Sequence, residues 1–224
     1  GEPIVKGYES HQDYKVIKCA VDKLNEIKND PDHNNPWCLY VGVHGPHAAF
    51  VIPEKYANMY NPEDIELPPN YRDEMEDKPY YYRRMRKRWS QLSENEVKES
   101  IAYYYGYCTM LDDMLGEVLN KIEEMGEMDN TLIIFLSDHG EMLGSHGLYY
   151  KGVMPFEEGY RIPLVLKWAK GIKNPGREID QLISIMDIAP TIIDVAGAER
   201  LSKQGGRSLM PFILDEQDIS WRDA

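Results

Sequence analysis

Two short stretches of the chain are apolar throughout and lack the alternation of polar and apolar residues that marks a half-exposed strand. They are residues 37–43 and 132–136, and a similar stretch follows at residues 162–168. Their lengths and their β-branched and aromatic residues predict strands that are buried on both faces. Such strands are typical of a parallel sheet with helices packed on either side.

Other segments place apolar residues three and four positions apart, which is the spacing of one face of an α-helix. These segments are residues 10–28, 93–125 and 187–196. Ser10 is a candidate N-cap of the first, and Ser93 and Glu96 have the spacing of a capping box at the start of the second. The alternation of strands and helices predicts an α/β fold with a doubly wound, largely parallel sheet and flanking helices.

The segment at residues 50–92 is rich in proline and shows no clean period. We therefore predict a long irregular excursion, and loops of this kind often shape a site. We expect residues 1–200 to form part of one α/β domain, and residues 201–224 to begin a C-terminal region that is truncated.

Composition excludes some classes of partner. The 224 residues carry a formal net charge of −13, which disfavours binding to nucleic acid or to an anionic membrane. No stretch is long and apolar enough for a membrane helix, so we expect a soluble protein. The sequence does not specify the cellular compartment. Cys19, Cys38 and Cys108 form no CxxC motif, and we interpret them as core residues.

Histidines follow two of the predicted strands. His44 and His47 come after the first, and Asp138, His139 and His146 come after the second. In open parallel sheets, ligands bind beyond the carboxyl ends of the strands. Asp138 and His139 offer one oxygen and one nitrogen ligand to a divalent cation. Alternatively, each histidine is a hydrogen-bonded structural residue and Asp138 caps the following turn.

Positive charge is concentrated at two places. Lys151 follows a loop that contains glycines and could hold an anion beside the metal, or it could be an ordinary surface lysine. Residues 83–88 form a basic run in an acidic chain. This run could bind a polyanion, but the favoured interpretation is a solvated helix face or pairing with Glu74, Glu76 and Asp77.

Several segments together resemble the sulfatase family of the alkaline-phosphatase superfamily. The matching segments are residues 40–47, 111–116, 129–131, 137–148 and 156–164, together with Lys151. The resemblance spans roughly residues 10–200, and its motifs are specific. It implies a sulfatase-like α/β fold, incomplete in this chain, and metal-dependent hydrolysis of a sulfate ester to an alcohol and sulfate.

The resemblance implies a role for each candidate residue. Asp138 and His139 would ligate the metal, Lys151 would hold a sulfate oxygen, and His47 would contact the sulfate and protonate the departing alkoxide. Secondary candidates for substrate binding are His44, His146 and Arg161. Calcium is the expected metal, with manganese, magnesium and zinc as alternatives, because His139 stands where many sulfatases have asparagine.

One feature of the family is absent from this sequence. Sulfatases carry a formylglycine nucleophile in a Cys-x-Pro-x-Arg-like motif, and none of the three cysteines fits that motif. We therefore expect a middle-to-C-terminal fragment that binds metal weakly and does not turn over sulfate esters alone, with the nucleophile upstream. The substrate would be a small-molecule or saccharide sulfate ester. Residues 80–89 are a candidate segment for contact with that substrate.

Two other functions remain open at this point. The first is a phosphodiester or phosphonate monoester hydrolase of the same superfamily, which shares the metal pair and the histidine loop. The second is a non-catalytic anion-binding or interaction domain that kept the scaffold. The sequence specifies neither the alcohol nor the oligomeric state.

Overall fold

The computed structural model describes residues 7–32, 35–152, 155–200, 202–203 and 205–223. The chain divides into two compact units, each built from segments that are distant in sequence. The first unit consists of Gly1–Gly126 and His139–Ile162, and the second consists of Glu127–Asp138 and Pro163–Ala224. The domain boundary that we expect at residue 200 stays a prediction.

The first unit is helical in its described part. Its α-helices are α1 (Gln12–Asn29), α2 (Glu54–Ala57), α3 (Tyr80–Trp89), α4 (Glu94–Glu124) and α5 (Glu157–Tyr160). The two long helices, α1 and α4, pack against each other. They do so because each carries an apolar stripe, such as Ile17, Ala20 and Leu24 on α1, that is buried away from water. No helix in the described ranges is both long and apolar enough to cross a membrane.

The two long helices begin at side-chain caps. The capping box predicted for α4 is confirmed, because the Ser93 hydroxyl accepts from the Glu96 N–H and the Glu96 carboxylate accepts from the Ser93 N–H. The predicted cap of α1 is wrong by one residue. His11, not Ser10, is the N-cap, and its Nδ1 accepts from the Asp13 N–H at 3.2 Å. An imidazole nitrogen can take the place of the usual hydroxyl oxygen because it also carries an acceptor lone pair.

The segment at residues 50–92 contains more regular structure than its proline content indicates. It includes α2, α3 and a 3-10 turn at Pro62–Asp64. It also contributes core residues, since Ile52, Tyr56 and Met75 are buried. Irregularly spaced apolar side chains therefore hold this segment against the rest of the unit.

The second unit contains a small sheet and two α-helices. The strands are β1 (Ile133–Leu136) and β2 (Leu164–Lys167), and the helices are α6 (Ile188–Val195) and α7 (Met210–Ile213). The helix predicted at residues 187–196 is confirmed by α6. Gly197 follows it with a φ of +63°, a backbone conformation that glycine adopts without strain.

The predicted parallel arrangement of the strands is wrong. β1 and β2 pair antiparallel, with Phe135 opposite Val165, and residues 37–43 form no strand in the described part of the chain. Phe135 is 48% exposed and Val165 is 57% exposed, so neither strand is buried on both faces here. An apolar run indicates that a strand can be buried, but it carries no information about the direction or identity of the neighbouring strand.

The interpretation of the cysteines as core residues is also wrong. Cys19, Cys38 and Cys108 are all free thiols with exposed side chains. Cys19 and Cys108 lie on α1 and α4 but outside the buried stripes of those helices. A cysteine is small enough to be accepted on either face of a helix, so its apolar character alone did not fix its position.

Candidate active site

The loop that carries His44 and His47 is held by a buried carboxylate on α1. Asp13 is 1% exposed, and it accepts the N–H groups of His44 at 2.8 Å and Gly45 at 3.0 Å. The Tyr107 hydroxyl on α4 donates to the same carboxylate at 3.0 Å. These donors satisfy a group that would otherwise be costly to bury, and together they tie the loop to both long helices.

Any side chain in place of Gly45 would collide with two neighbouring side chains unless they moved. A Cβ atom placed there would lie 2.8 Å from the Asp13 carboxylate oxygen and within contact distance of the Tyr107 ring. Burial, with Asp13 adding to the effect, raises the pKa of Tyr107 above its ordinary value. The phenol therefore stays protonated and continues to donate to Asp13 across the ordinary pH range.

Lys151 and His47 are in direct contact. The Lys151 ammonium lies against His47 Nε2, and His47 Nδ1 lies 2.6 Å from the carbonyl oxygen of Ala48. An ammonium group has donors only, so Nε2 accepts and Nδ1–H donates to the Ala48 carbonyl. The backbone of the next residue thus fixes the orientation of the His47 ring.

Two further histidines surround this pair in the same unit. The ring centroids of His44 and His47 are 4.7 Å apart, and those of His47 and His139 are 6.4 Å apart. The structure therefore brings together four of the residues that the sequence selects, although 104 positions separate His47 from Lys151. A lysine among three imidazoles is suited to bind an anion and to transfer protons near it.

The loop between His139 and Lys151 is anchored on both sides. Gly140 N–H donates to the Gly159 carbonyl at 2.9 Å, and a Cβ at Gly140 would collide with the Glu158 carbonyl oxygen. The Glu141 carboxylate accepts the N–H groups of Leu143 and Tyr150. Burial raises the pKa of Glu141, and the two N–H donors partly offset that effect.

The expected metal ligands lie in different units of the structure. Asp138 ends the first segment of the second unit, whereas His139 begins the second segment of the first unit. His139 Nδ1 is 2.8 Å from the Gly140 carbonyl, a contact that favours Nδ1–H as donor to that carbonyl. The donor types of both residues fit a divalent cation. In the part of the chain that is described, no group of three ligand side chains converges.

The remaining candidates lie elsewhere in the first unit. His146 is held in its own cluster, where Nδ1 is 2.7 Å from the Asp73 carboxylate and the ring stacks on Phe156 at 4.4 Å. The backbone N–H of His146 donates to the Asn70 side-chain oxygen at 3.3 Å. Arg161 follows α5 and is exposed. The substrate-binding roles of His146 and Arg161 stay predictions.

The first unit contains a cavity of about 270 Å³. Its wall includes Ala48 and Tyr150, which are the chain neighbours of His47 and Lys151. The other lining residues are Ala49, Phe50, Trp89, Leu92, Glu96, Ser100, Glu141 and Tyr149. The wall is mainly aromatic and aliphatic, and Glu96 and Glu141 are its two carboxyl groups.

Sequence reasoning missed Asp13, the residue that positions the histidine loop. A signal was present, because Asp13 lies one helical turn before Ile17 on the stripe that α1 buries. A carboxylate in an apolar stripe has to find donors inside the protein. That pattern alone could have identified it as a residue that organises a site.

Comparison with known proteins agrees with these observations. The sulfatase family profile matches residues 5–198. A multifunctional alkaline phosphatase superfamily protein, PehA, of Trinickia caryophylli is 35% identical over 202 residues, which is 84% of this chain and 39% of that protein. An arylsulfatase of Clostridium perfringens is 31% identical over 228 residues, which is 97% of this chain and 45% of that protein.

A solved structure shows the same fold. The phosphonate monoester hydrolase of Agrobacterium radiobacter superposes with a TM-score of 0.80 at 28% identity, over 93% of this chain and 44% of that chain. The chain thus spans less than half the length of these relatives. Because the family profile covers most of its residues, the chain belongs to the sulfatase family, within the alkaline phosphatase superfamily.

Proposed function

We propose that this chain is part of a sulfatase that hydrolyses a sulfate ester to an alcohol and sulfate. The observation that carries the proposal is the contact between Lys151 and His47, beside His139, in a chain of the sulfatase family. An anion that enters between them would accept hydrogen bonds from the Lys151 ammonium and from a protonated His47.

Each residue of the pair has a distinct task in the proposed reaction. The Lys151 ammonium binds a nonbridging oxygen of the sulfate and stabilises the charge that develops there. The His47 ring, when protonated, keeps Nδ1–H on the Ala48 carbonyl and presents Nε2–H to the oxygen of the breaking S–O bond. That proton passes to the leaving alkoxide, which departs as the alcohol.

Asp138 and His139 are the proposed metal ligands, and calcium is the proposed ion. A bound divalent cation would polarise the sulfate oxygens and lower the cost of charge build-up. Two ligands are fewer than such ions require, so we propose that the rest of a longer protein supplies the others. The formylglycine nucleophile is assigned to the same missing part, and this chain alone would not turn over the ester.

A second candidate function is hydrolysis of phosphonate monoesters or phosphodiesters. It is favoured by the likeness to the phosphonate monoester hydrolase and to the multifunctional superfamily protein. The Lys151–His47 pair would serve either anion, because sulfate and phosphoryl esters present similar nonbridging oxygens. The two candidates therefore differ in relative rate rather than in the residues that they use.

The test compares both substrates on the full-length parent protein. We expect an aryl sulfate to be turned over with a higher kcat/KM than an aryl phosphonate monoester. Lys151→Ala and His47→Ala should each lower kcat/KM for the sulfate at least about a hundredfold. Lys55→Ala is the matched control, because Lys55 is exposed and pairs with Asp113. A preference for the phosphonate, or full activity of both variants, would reject the proposal.

A further inference from the structure

Helix α3 separates its charged and apolar side chains onto opposite faces. Tyr82, Met85 and Trp89 pack against buried residues of the first unit, including Met75 and Met142. The opposite face carries four exposed cations, Arg83, Arg84, Lys87 and Arg88. We refer to these four residues as the α3 basic face.

Among the described residues, the α3 basic face has no acidic partner. In the ranges that the structure describes, no ion pair links any of its four side chains to an aspartate or glutamate, so the pairing expected with Glu74, Glu76 and Asp77 is not seen. Asp77 pairs with Lys78 instead. The cations are also stacked at spacings of four residues, an arrangement in which like charges destabilise a helix. A face that keeps this repulsion is suited to bind an anion.

Helix α3 adjoins the candidate active site. Trp89, at its C-terminal end, lines the cavity together with Ala48 and Tyr150. Arg86 packs against Gly147, which lies in the loop between His139 and Lys151, and it also donates to the Asp73 carbonyl in the segment at residues 50–92. Arg88 of the α3 basic face lies over the Trp89 ring, 5.6 Å from its centroid, so the basic face begins beside a residue that lines the cavity.

We propose that the α3 basic face binds sulfate groups of a linear sulfated polysaccharide whose reacting unit occupies the adjacent cavity. Guanidinium groups match the paired oxygens of a sulfate, and three of the four cations are arginines. The cavity itself has no cationic lining residue, so the charged groups of the polymer bind outside it. The net charge of −13 acts against any long polyanion, so binding depends on the local positive charge of the α3 basic face. The inference depends on the proposed function only for the role of the polymer as substrate.

The experiment measures binding without hydrolysis. The chain is applied to immobilised heparin and eluted with salt, and its affinity for heparin, neutral dextran and duplex DNA is measured at 0.1 M salt. The test variant replaces Arg83, Arg84, Lys87 and Arg88 with alanine, which preserves helix propensity. The matched control replaces Lys15, Lys18, Lys23 and Lys28 on α1, which are also exposed, so both variants lose the same charge. Circular dichroism verifies that both variants are folded.

We expect heparin to bind the unaltered chain and neutral dextran not to bind. The α3 variant should lose at least about tenfold in affinity and elute at lower salt, whereas the α1 control should behave as the unaltered chain. Equal losses in both variants would show a general charge effect and overturn the inference. DNA binding as tight as heparin binding would overturn the polysaccharide assignment. If the parent protein hydrolysed small sulfate esters but did not bind heparin, only this inference would be rejected. The proposed function would still be supported.

Discussion

The buried carboxylate of Asp13 accepts the backbone N–H of His44 at 2.8 Å, so the first turn of α1 fixes the loop that carries His47. We expect Asp13→Ala to leave the N–H groups of His44 and Gly45 and the hydroxyl of Tyr107 without this acceptor and to lower the free energy of unfolding by about 3 kcal/mol. Asp13→Asn keeps one acceptor oxygen and should cost less, about 1 to 2 kcal/mol. Urea unfolding followed by circular dichroism measures both values.

The control for Asp13 is Asp22→Ala on the same helix. Asp22 is exposed and pairs only with Lys18, so its loss should change the free energy of unfolding by less than about 1 kcal/mol. If Asp13→Ala proved as mild as Asp22→Ala, the loop would have to be held by other contacts.

Two glycines of the first unit should respond to alanine in opposite directions. At Gly45 a Cβ would overlap Asp13 and Tyr107, so Gly45→Ala should destabilise the protein by about 1 to 3 kcal/mol. At Gly116, within α4, a Cβ would meet no atom within 4 Å, and alanine should stabilise the helix by about 0.5 to 1 kcal/mol. Thermal unfolding of the two variants gives the sign of each effect, and a stabilising Gly45→Ala would contradict the described packing.

The core of the candidate site could be predicted from the sequence because its residues lie in short, specific motifs. His44, His47, His139 and Lys151 all belong to such segments, and the structure places them together. Asp13 was missed because it lies outside every motif and acts through backbone groups of the loop. Residues that position a site are selected by burial and hydrogen bonding, which a linear pattern shows only as a polar residue in an apolar stripe.

The fold could be predicted in its helices but not in its sheet. α1, α4 and α6 follow from a period that depends on the helix itself, so local sequence suffices. Strand pairing depends on which distant segments meet, and the antiparallel pairing of β1 with β2 has no local signal. The same limit applies to residues 37–43, whose apolar character is clear and whose strand partner is not defined by nearby residues.

The proposed role of His139 predicts a change in metal affinity that does not depend on catalysis. We expect His139→Ala to raise the Kd of the chain for calcium or manganese at least about tenfold in calorimetric titrations. His146→Ala is the matched control, because His146 is already held by Asp73 and Phe156, and its Kd should equal that of the unaltered chain. Equal affinities of the unaltered chain and both variants for the metal would show that His139 is not a metal ligand.

The pairing of Asp187 with Arg222 predicts how stability in the second unit depends on pH. The Asp187 carboxylate is fully buried and accepts hydrogen bonds from the two terminal guanidinium nitrogens of Arg222, at 2.6 and 2.7 Å, and from the backbone N–H groups of Ser184 and Arg207. Burial alone would raise its pKa, but these donors outweigh burial and hold the pKa of Asp187 below its ordinary value of 3.8.

A carboxyl whose pKa is lowered by folding stabilises the folded state only while it is ionised. The contribution of Asp187 is therefore complete above about pH 4 and is lost as the pH falls from there through the lowered pKa. Asp187→Asn cannot ionise, so the gap in unfolding midpoint between this variant and the unaltered chain should be large at pH 7 and should shrink below pH 4. Asp180→Asn is the control, because Asp180 is an exposed residue of the same unit, and this variant should show little difference in unfolding midpoint at either pH.

A gap for Asp187→Asn that stays constant from pH 7 to pH 3 would mean that the carboxylate charge contributes nothing to stability. The hydrogen bonds to neutral N–H groups would then account for its burial.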